Sequence, residues 1–180
     1  MAEYGYEGAT IARIVDEASV PESSVYHYFG SKDGVLLRVM ERGADRLFTA
    51  LAAYPTPQGD HREKLTTFCG ELKVELESRP DFLGLVTLLA IQPSGFGGEA
   101  TRDVVHEVRG AALDLVRRHL TAVFGVDTAP AVLQQLARFA LASIDGAILA
   151  NKADDAPLGD VIDCLPVALV AVHGTLTSRG

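Results

Sequence analysis

Between Thr10 and Ala18 the apolar residues Ile11, Ile14, Val15 and Ala18 recur three and four positions apart, which lines one face of a helix. Thr10 is placed as its N-cap, with a hydroxyl able to accept from a first-turn amide. Ser19-Val20-Pro21 interrupts the pattern. Pro21 suits the first position of a new helix, where a missing N–H costs nothing, and Glu22 beside it suits the positive helix end. The second helix is expected over Glu22 to Phe29 and stops at Gly30, with Val25 and Phe29 facing the core and Ser23 and Ser24 turned outward. Ser31 then caps a third helix, buried through Leu36, Leu37, Val39, Met40 and Leu47 and running to about Tyr54.

The breaker PTPQGD at 55–60 ends that helix, and every later segment also carries helical spacing. One helix is expected from about His61 to Ser78, stopped by Pro80, and a strongly apolar one from Asp81 to Ile91. The loop QPSGFGG leads to a long helix from about Glu99 to Phe124, closed by Gly125. Two more follow, about Ala131 to Asn151 and Leu158 to Thr177, separated by KADDAP. No segment alternates strictly enough for a half-buried strand. The pattern predicts an all-α protein of about eight helices, with a small domain at 1–46 and a larger one at 47–180.

The last two helices mix small residues (Ala140, Ser143, Ala147, Ala150, Ala168, Ala171) with aliphatics on more than one face, among them Leu141, Ile144, Ile148, Val161, Ile162, Leu165 and Leu169. Such helices need cover on both sides. Two helices from each of two subunits would supply it, so a homodimer through the last two helices is expected, ahead of a single buried hairpin.

Composition narrows this further. The 180 residues are 48% hydrophobic and 7% aromatic with no Trp, which fits one core built on aliphatic packing. The longest uninterrupted apolar run, Leu165 to Val172, has eight residues and contains Pro166, against the roughly 20 a membrane-spanning helix uses, so no membrane partner is expected. The start MAEYGYEG has neither a basic region nor an apolar stretch, so no secretory signal is read there. Cys69 and Cys164 lie in unrelated stretches without metal-ligand spacing, as in a cytoplasmic protein with reduced thiols. The net charge of −8 speaks against nucleic acid as a partner. Residues 1–46 do not reverse it: five basic against eight acidic side chains leave −3. Phosphate neutralisation usually supplies most non-specific affinity, so a DNA contact here must use a local patch, hydroxyl and backbone donors, or basic groups from elsewhere.

A short helix, a tight turn and a second short helix rich in small polar and aromatic residues form a helix-turn-helix pattern. Its residues are Tyr4-Gly5-Tyr6-Glu7-Gly8-Ala9-Thr10, Ile14, Ala18, Val20, Val25-Tyr26-His27-Tyr28-Phe29, Ser31-Lys32 and Leu36. In these positions residues 4–37 resemble the DNA-binding domain of the tetracycline-repressor family of bacterial transcriptional regulators. The chain departs from that pattern at Ser19, where the family usually has Gly, and at Pro21, where it usually has Ser or Thr. The family also has a full helix ahead of Tyr4-Gly5-Tyr6. Only Met1 to Tyr4 stands there, so a shortened first helix is expected.

The resemblance implies a double-stranded DNA operator as partner, with the second helix entering the major groove. It places Glu22, Ser23, Ser24 and His27 nearest the bases and Tyr26 and Tyr28 on sugar and phosphate. Thr10 and Lys32 would hold phosphates at helix N-termini. It also implies a body that binds a small-molecule effector. From the residues, the best lining candidates are Phe68, Cys69, Leu72, Phe82, Leu85, Val86 and Leu89, with Phe96, His106 and Arg109 adding aromatic or polar contacts. A buried Arg109 would need an anionic partner; an exposed one would sit in a surface ion pair.

No enzyme signature competes. Gly95-Phe96-Gly97-Gly98 lacks the Lys-Ser/Thr ending of a phosphate loop, the five histidines lack metal-binding spacing, and His106-Glu107 is not followed by the His of a zincin. No cofactor or metal is expected. The sequence thus predicts a non-enzymatic, homodimeric DNA-binding regulator, a repressor released from a pseudo-palindromic operator by an effector. The alternative is a helical small-molecule-binding protein whose DNA-binding head is not competent.

Overall fold

Thr10 is the N-cap of the first helix whose bounds are described. In the computed structural model the described residues are 8–54, 57–79, 82–85 and 99–178. They form α1 (Ile11–Ala18), α2 (Glu22–Phe29), α3 (Lys32–Ala53), α4 (His61–Glu77), α5 (Glu99–Phe124), α6 (Pro130–Asp154), α7 (Gly159–Ile162) and α8 (Leu165–Thr177), with a further helical turn at 82–85. Among the described residues there is no strand. The all-α expectation holds.

The chain divides into two compact units, each assembled from two stretches: 1–46 with 80–108, and 47–79 with 109–180. The division falls inside α3 and inside α5. In the first unit Val25, Leu36, Met40 and Ala44 are buried, as are Leu83, Leu85 and Val105 from the later stretch. There the ring of Phe82 lies against Gly43 on α3, so closely that a Cβ at Gly43 would overlap it. Val39, expected in this core, is 46% exposed, since it lies between the stripes set by Leu36 and Met40.

The second unit holds the larger core. α8 packs on α4 and α6, and α7 bridges α6 and α4. Leu65, Leu72 and Leu76 of α4, Leu120 of α5, Leu136, Ala137, Ala140, Ile144, Ala147 and Ile148 of α6, and Leu165 and Leu169 of α8 are all buried. The small residues of α6 sit among these core positions, where they let neighbouring helices approach. α4 opens with a reciprocal capping box: Asp60 Oδ1 accepts from the Glu63 amide at 2.8 Å, and Glu63 Oε2 accepts from the Asp60 amide at 2.9 Å.

One expectation needs correction. The last helix is not continuous from Leu158 but breaks at Asp163 and Cys164 into α7 and α8. Pro166 is the physical cause, because it has no N–H to give to the carbonyl four residues back. Two segments, Pro130–Asp154 with mean hydropathy 1.2 and Gly159–Thr177 with 1.4, are long and apolar enough to cross a membrane by length and composition only, a test that buried core helices also pass. Alanine and valine accumulate there although no long run is uninterrupted. α6 nonetheless carries Asp145, which is paired with Arg109 of α5. The most apolar exposed positions on these helices are Phe139, Leu149 and Val167.

Candidate nucleic-acid interface

α1 and α2 pack on one another, and each boundary between them is set locally. The Thr10 hydroxyl accepts from the Arg13 amide at 3.3 Å, as its place at the N-cap requires. At the other end Ser19 adopts the left-handed conformation, with φ 51°. Its N–H donates to the Asp16 carbonyl and the Val20 N–H to the Val15 carbonyl, both at 3.2 Å, the double closure of a Schellman motif. This is the position where the resemblance expects Gly. A serine there bears the steric cost of a Cβ, of order 1 kcal/mol.

Pro21 stands one place earlier than expected. It is the N-cap of α2, extended at φ −62° and ψ 140°, and its carbonyl accepts from the Ser24 and Val25 amides at 3.0 and 3.4 Å. A proline supplies no side-chain cap, but its fixed φ suits the extended entry. α2 ends at Gly30, whose φ of 71° favours glycine and whose N–H donates to the Tyr26 carbonyl at 2.9 Å. Ser31 then caps α3, its Oγ accepting from the Gly34 amide at 3.1 Å. A Cβ at Gly34 would collide with the Phe29 carbonyl, so the turn from α2 into α3 is closed to larger residues.

Within this frame α2 hangs on one buried side chain, Val25. Phe29, expected to share the core with it, is 37% exposed. Ile11, Ile14 and Val15 of α1 are half-buried and Ala18 is exposed, so that helix buries nothing completely. Around α2, Glu22, Ser23, Tyr26, His27 and Tyr28 are exposed, whereas Ser24 is half-buried. Tyr28 is 76% exposed against 50% for Tyr26, with the His27 ring edge-on to it at 5.1 Å. Thr10 is exposed before α1 and Lys32, half-buried, is the first residue of α3. α2 itself contains neither Lys nor Arg.

The expected effector-lining residues divide between the units. Phe68, Cys69 and Leu72 are buried on α4 in the second unit. Phe68 stacks on His119 at 4.1 Å between ring centroids, and His119 Nδ1 lies 3.1 Å from the Leu115 carbonyl. Burial holds the His119 pKa below the usual histidine value, partly offset by that carbonyl. Burial also pushes the Cys69 thiol up to about 12, with Asp163 adding to it. Arg109, in the same unit, makes a forked pair with Asp145 at 2.7 and 3.2 Å, both side chains about one-third exposed. That pair lies between the two cases left open for Arg109: an anionic partner is present, and the site is half-buried. Phe82, Leu85 and His106 belong to the first unit, with Leu85 buried and His106 exposed. Val86, Leu89 and Phe96 lie outside the described residues.

Spacing gave no sign of one group in the second unit. The His173 ring stacks on Phe124 at 4.0 Å, and His61 meets Phe124 edge-on at 5.0 Å. His173 Nε2 is buried without a hydrogen-bond partner among the described residues. Burial lowers the His173 pKa, and His61 lowers it further.

A helical head with a reading helix, followed by a long helical body, defines a class of helix-turn-helix regulators. Residues 1–39 match the family of bacterial regulatory proteins, tetR family. That match covers the head of the chain and stops within α3. It is 40% identical over 58 residues to the HTH-type transcriptional regulator BetI of Stenotrophomonas maltophilia, covering 32% of this chain and 30% of that protein. With the HTH-type transcriptional repressor AcnR of Corynebacterium glutamicum it shares 35% over 46 residues, 26% of this chain and 24% of that one. The matches thus span less than a third of the curated relatives' length. The whole fold is matched by the crystal structure of the regulator FadR from Bacillus subtilis in complex with stearoyl-CoA. Its TM-score is 0.69 at 16% identity, covering 95% of this chain and 92% of that one.

Proposed function

We propose that this protein is a DNA-binding transcriptional regulator that acts as a homodimer in the cytoplasm, a repressor released from a pseudo-palindromic operator by a small-molecule effector. The observation that carries this reading is α2. It is bounded by Pro21 and Gly30 and held by Val25, and it turns Glu22, Ser23, Tyr26, His27 and Tyr28 to solvent. Polar and aromatic groups on a short rigid helix suit a major groove, where base edges and phosphates take different partners. Thr10 and Lys32, at the starts of α1 and α3, add donors at positive helix ends, where phosphates bind. On this reading residues 1–46 bind DNA and 47–180 dimerise and bind effector, although 80–108 cluster with 1–46 in one compact unit.

The exposed stripes of α6 and α8 support the dimer. Phe139, Ala142, Gly146 and Leu149 lie on one side of α6, and Val167, Ala171 and Gly174 on one side of α8. Small residues among apolar ones allow helices of two subunits to pack closely. Two reading helices would then meet successive major grooves about one DNA turn apart. Release requires an effector that binds better to a conformation with the wrong spacing, since only differential affinity shifts the equilibrium. Buried Phe68, Cys69 and Leu72, together with FadR's capture with stearoyl-CoA, support an effector with a large apolar part.

Fluorescence anisotropy of duplexes from the DNA flanking its own gene, titrated at several salt concentrations, tests the reading. A salt-dependent, sequence-preferring dimer complex is expected. Equal, weak binding to every duplex would sink it and favour a ligand-binding protein whose head no longer engages DNA. The −3 charge of residues 1–46 is the observation on that side.

A further inference from the structure

We propose that Glu22 selects operators by requiring cytosine at the base it faces in each half-site. This rests on the DNA-binding reading above and adds a sequence rule to it.

Glu22 is the first residue of α2, directly after the extended Pro21, so it belongs to the end of the helix that reaches base edges. Its carboxylate is exposed, with no hydrogen bond or ion pair to another described residue. No Lys or Arg on α2 stands ready to neutralise it. A carboxylate only accepts hydrogen bonds. In the major groove guanine offers two acceptors, and thymine an acceptor and a methyl group. Adenine offers a donor beside an acceptor, and cytosine offers the N4 amino donor alone. Guanine and thymine give Glu22 no donor at all, and adenine's N6 donor lies beside the repelling N7 lone pair. Against cytosine it meets a donor without an adjacent acceptor on that base.

The phosphates give this contact an unusual signature. Glu22 is repelled by the DNA backbone, so it costs affinity everywhere while discriminating at one position. Its removal loosens sequence choice and strengthens general binding. Removing a merely structural or phosphate-binding residue would weaken binding to all sequences together.

The test is selection from randomised duplexes by the full-length protein, comparing wild type with Glu22→Gln and Glu22→Ala. Anisotropy follows on the selected operator carrying each base at the position in question. Wild type is expected to enrich a pseudo-palindrome with cytosine at one symmetric position, any other base there weakening binding about tenfold or more. Glu22→Gln, nearly isosteric, is expected to move the preference to adenine, whose N6 and N7 suit an amide. Glu22→Ala is expected to lose the preference at that position alone and to bind non-specific duplex more tightly. Unchanged base preference in both variants, with an operator still enriched, overturns the role of Glu22 and leaves the DNA-binding reading standing. Failure of wild type to enrich any sequence overturns that reading and this rule with it.

Discussion

Two regions that leave side chains open to solvent, α2 and the α6/α8 pair, do so with opposite chemistry. α2 is short, has one buried residue and shows solvent a carboxylate, hydroxyls, an imidazole and phenols. α6 and α8 bury seven and three residues, and what they leave exposed is largely hydrocarbon: Phe139, Leu149 and Val167 with small residues between. Water tolerates the first surface indefinitely. The second is expected to seek a partner, because an apolar stripe gains about 25 cal/mol for each Å² removed from water. Exposure alone therefore says little about role; the chemistry of the exposed groups separates the surface proposed to read DNA from the one proposed to join subunits.

The sharpest way to break the comparison is Leu149→Asp with Val167→Asp. A charge in each stripe should hold the protein as a monomer in analytical ultracentrifugation and cost at least about 100-fold in operator affinity, since one head loses the contribution of the second. A persistent dimer would show that the joining surface lies elsewhere. Next, Leu136→Ala, a fully buried α6 residue, should destabilise the second unit by about 2–5 kcal/mol in denaturant melts. Val25→Ala should cost less, about 1–3 kcal/mol, and fall on DNA binding more than on global melting, because α2 has no second buried anchor.

Acid should separate the regions again. His119 and His173, both in the second unit, have folded pKa values below the unfolded one. Above the ordinary histidine value, near 6.5, both states are neutral and their stabilising contribution is fully present. As the pH falls through that value toward the depressed folded ones, the unfolded chain binds protons the native fold refuses, so stability falls. Melting temperature should drop between about pH 7 and 5. His119→Phe and His173→Phe should flatten the profile, and an unaltered profile in the double variant would exclude these rings as its source. The smallest effect is expected from Ser19→Gly, which relieves the left-handed cap and should stabilise the head by about 0.5–1 kcal/mol in thermal melts.

Legibility in the sequence followed the range of the interactions. The Thr10 cap, the stop at Gly30 and the Ser31 cap were readable because each joins residues within a few positions, where side-chain chemistry dictates the turn. Pro21 was misplaced by one residue because proline fits both the N-cap and the first helical turn. Phe29 was misjudged because spacing predicts which residues share a face, not whether anything covers that face. The residues of α2 proposed to read DNA come from a resemblance, and no periodicity singles them out. The Arg109–Asp145 fork joins residues 36 apart, and the His173–Phe124 stack joins separate helices. Pairings of that kind depend on how helices meet in space, which hydrophobic spacing does not encode.

The unequal settings of the two thiols have a practical side. Burial pushes the Cys69 thiol up to about 12, so it stays protonated at pH 8, and it is buried as well. Cys164 is exposed at the break between α7 and α8. A maleimide dye or spin label should therefore attach at Cys164 alone, without any engineering of the chain. The reporter would sit just ahead of α8, and in a dimer one label per subunit would permit distance measurement between identical sites.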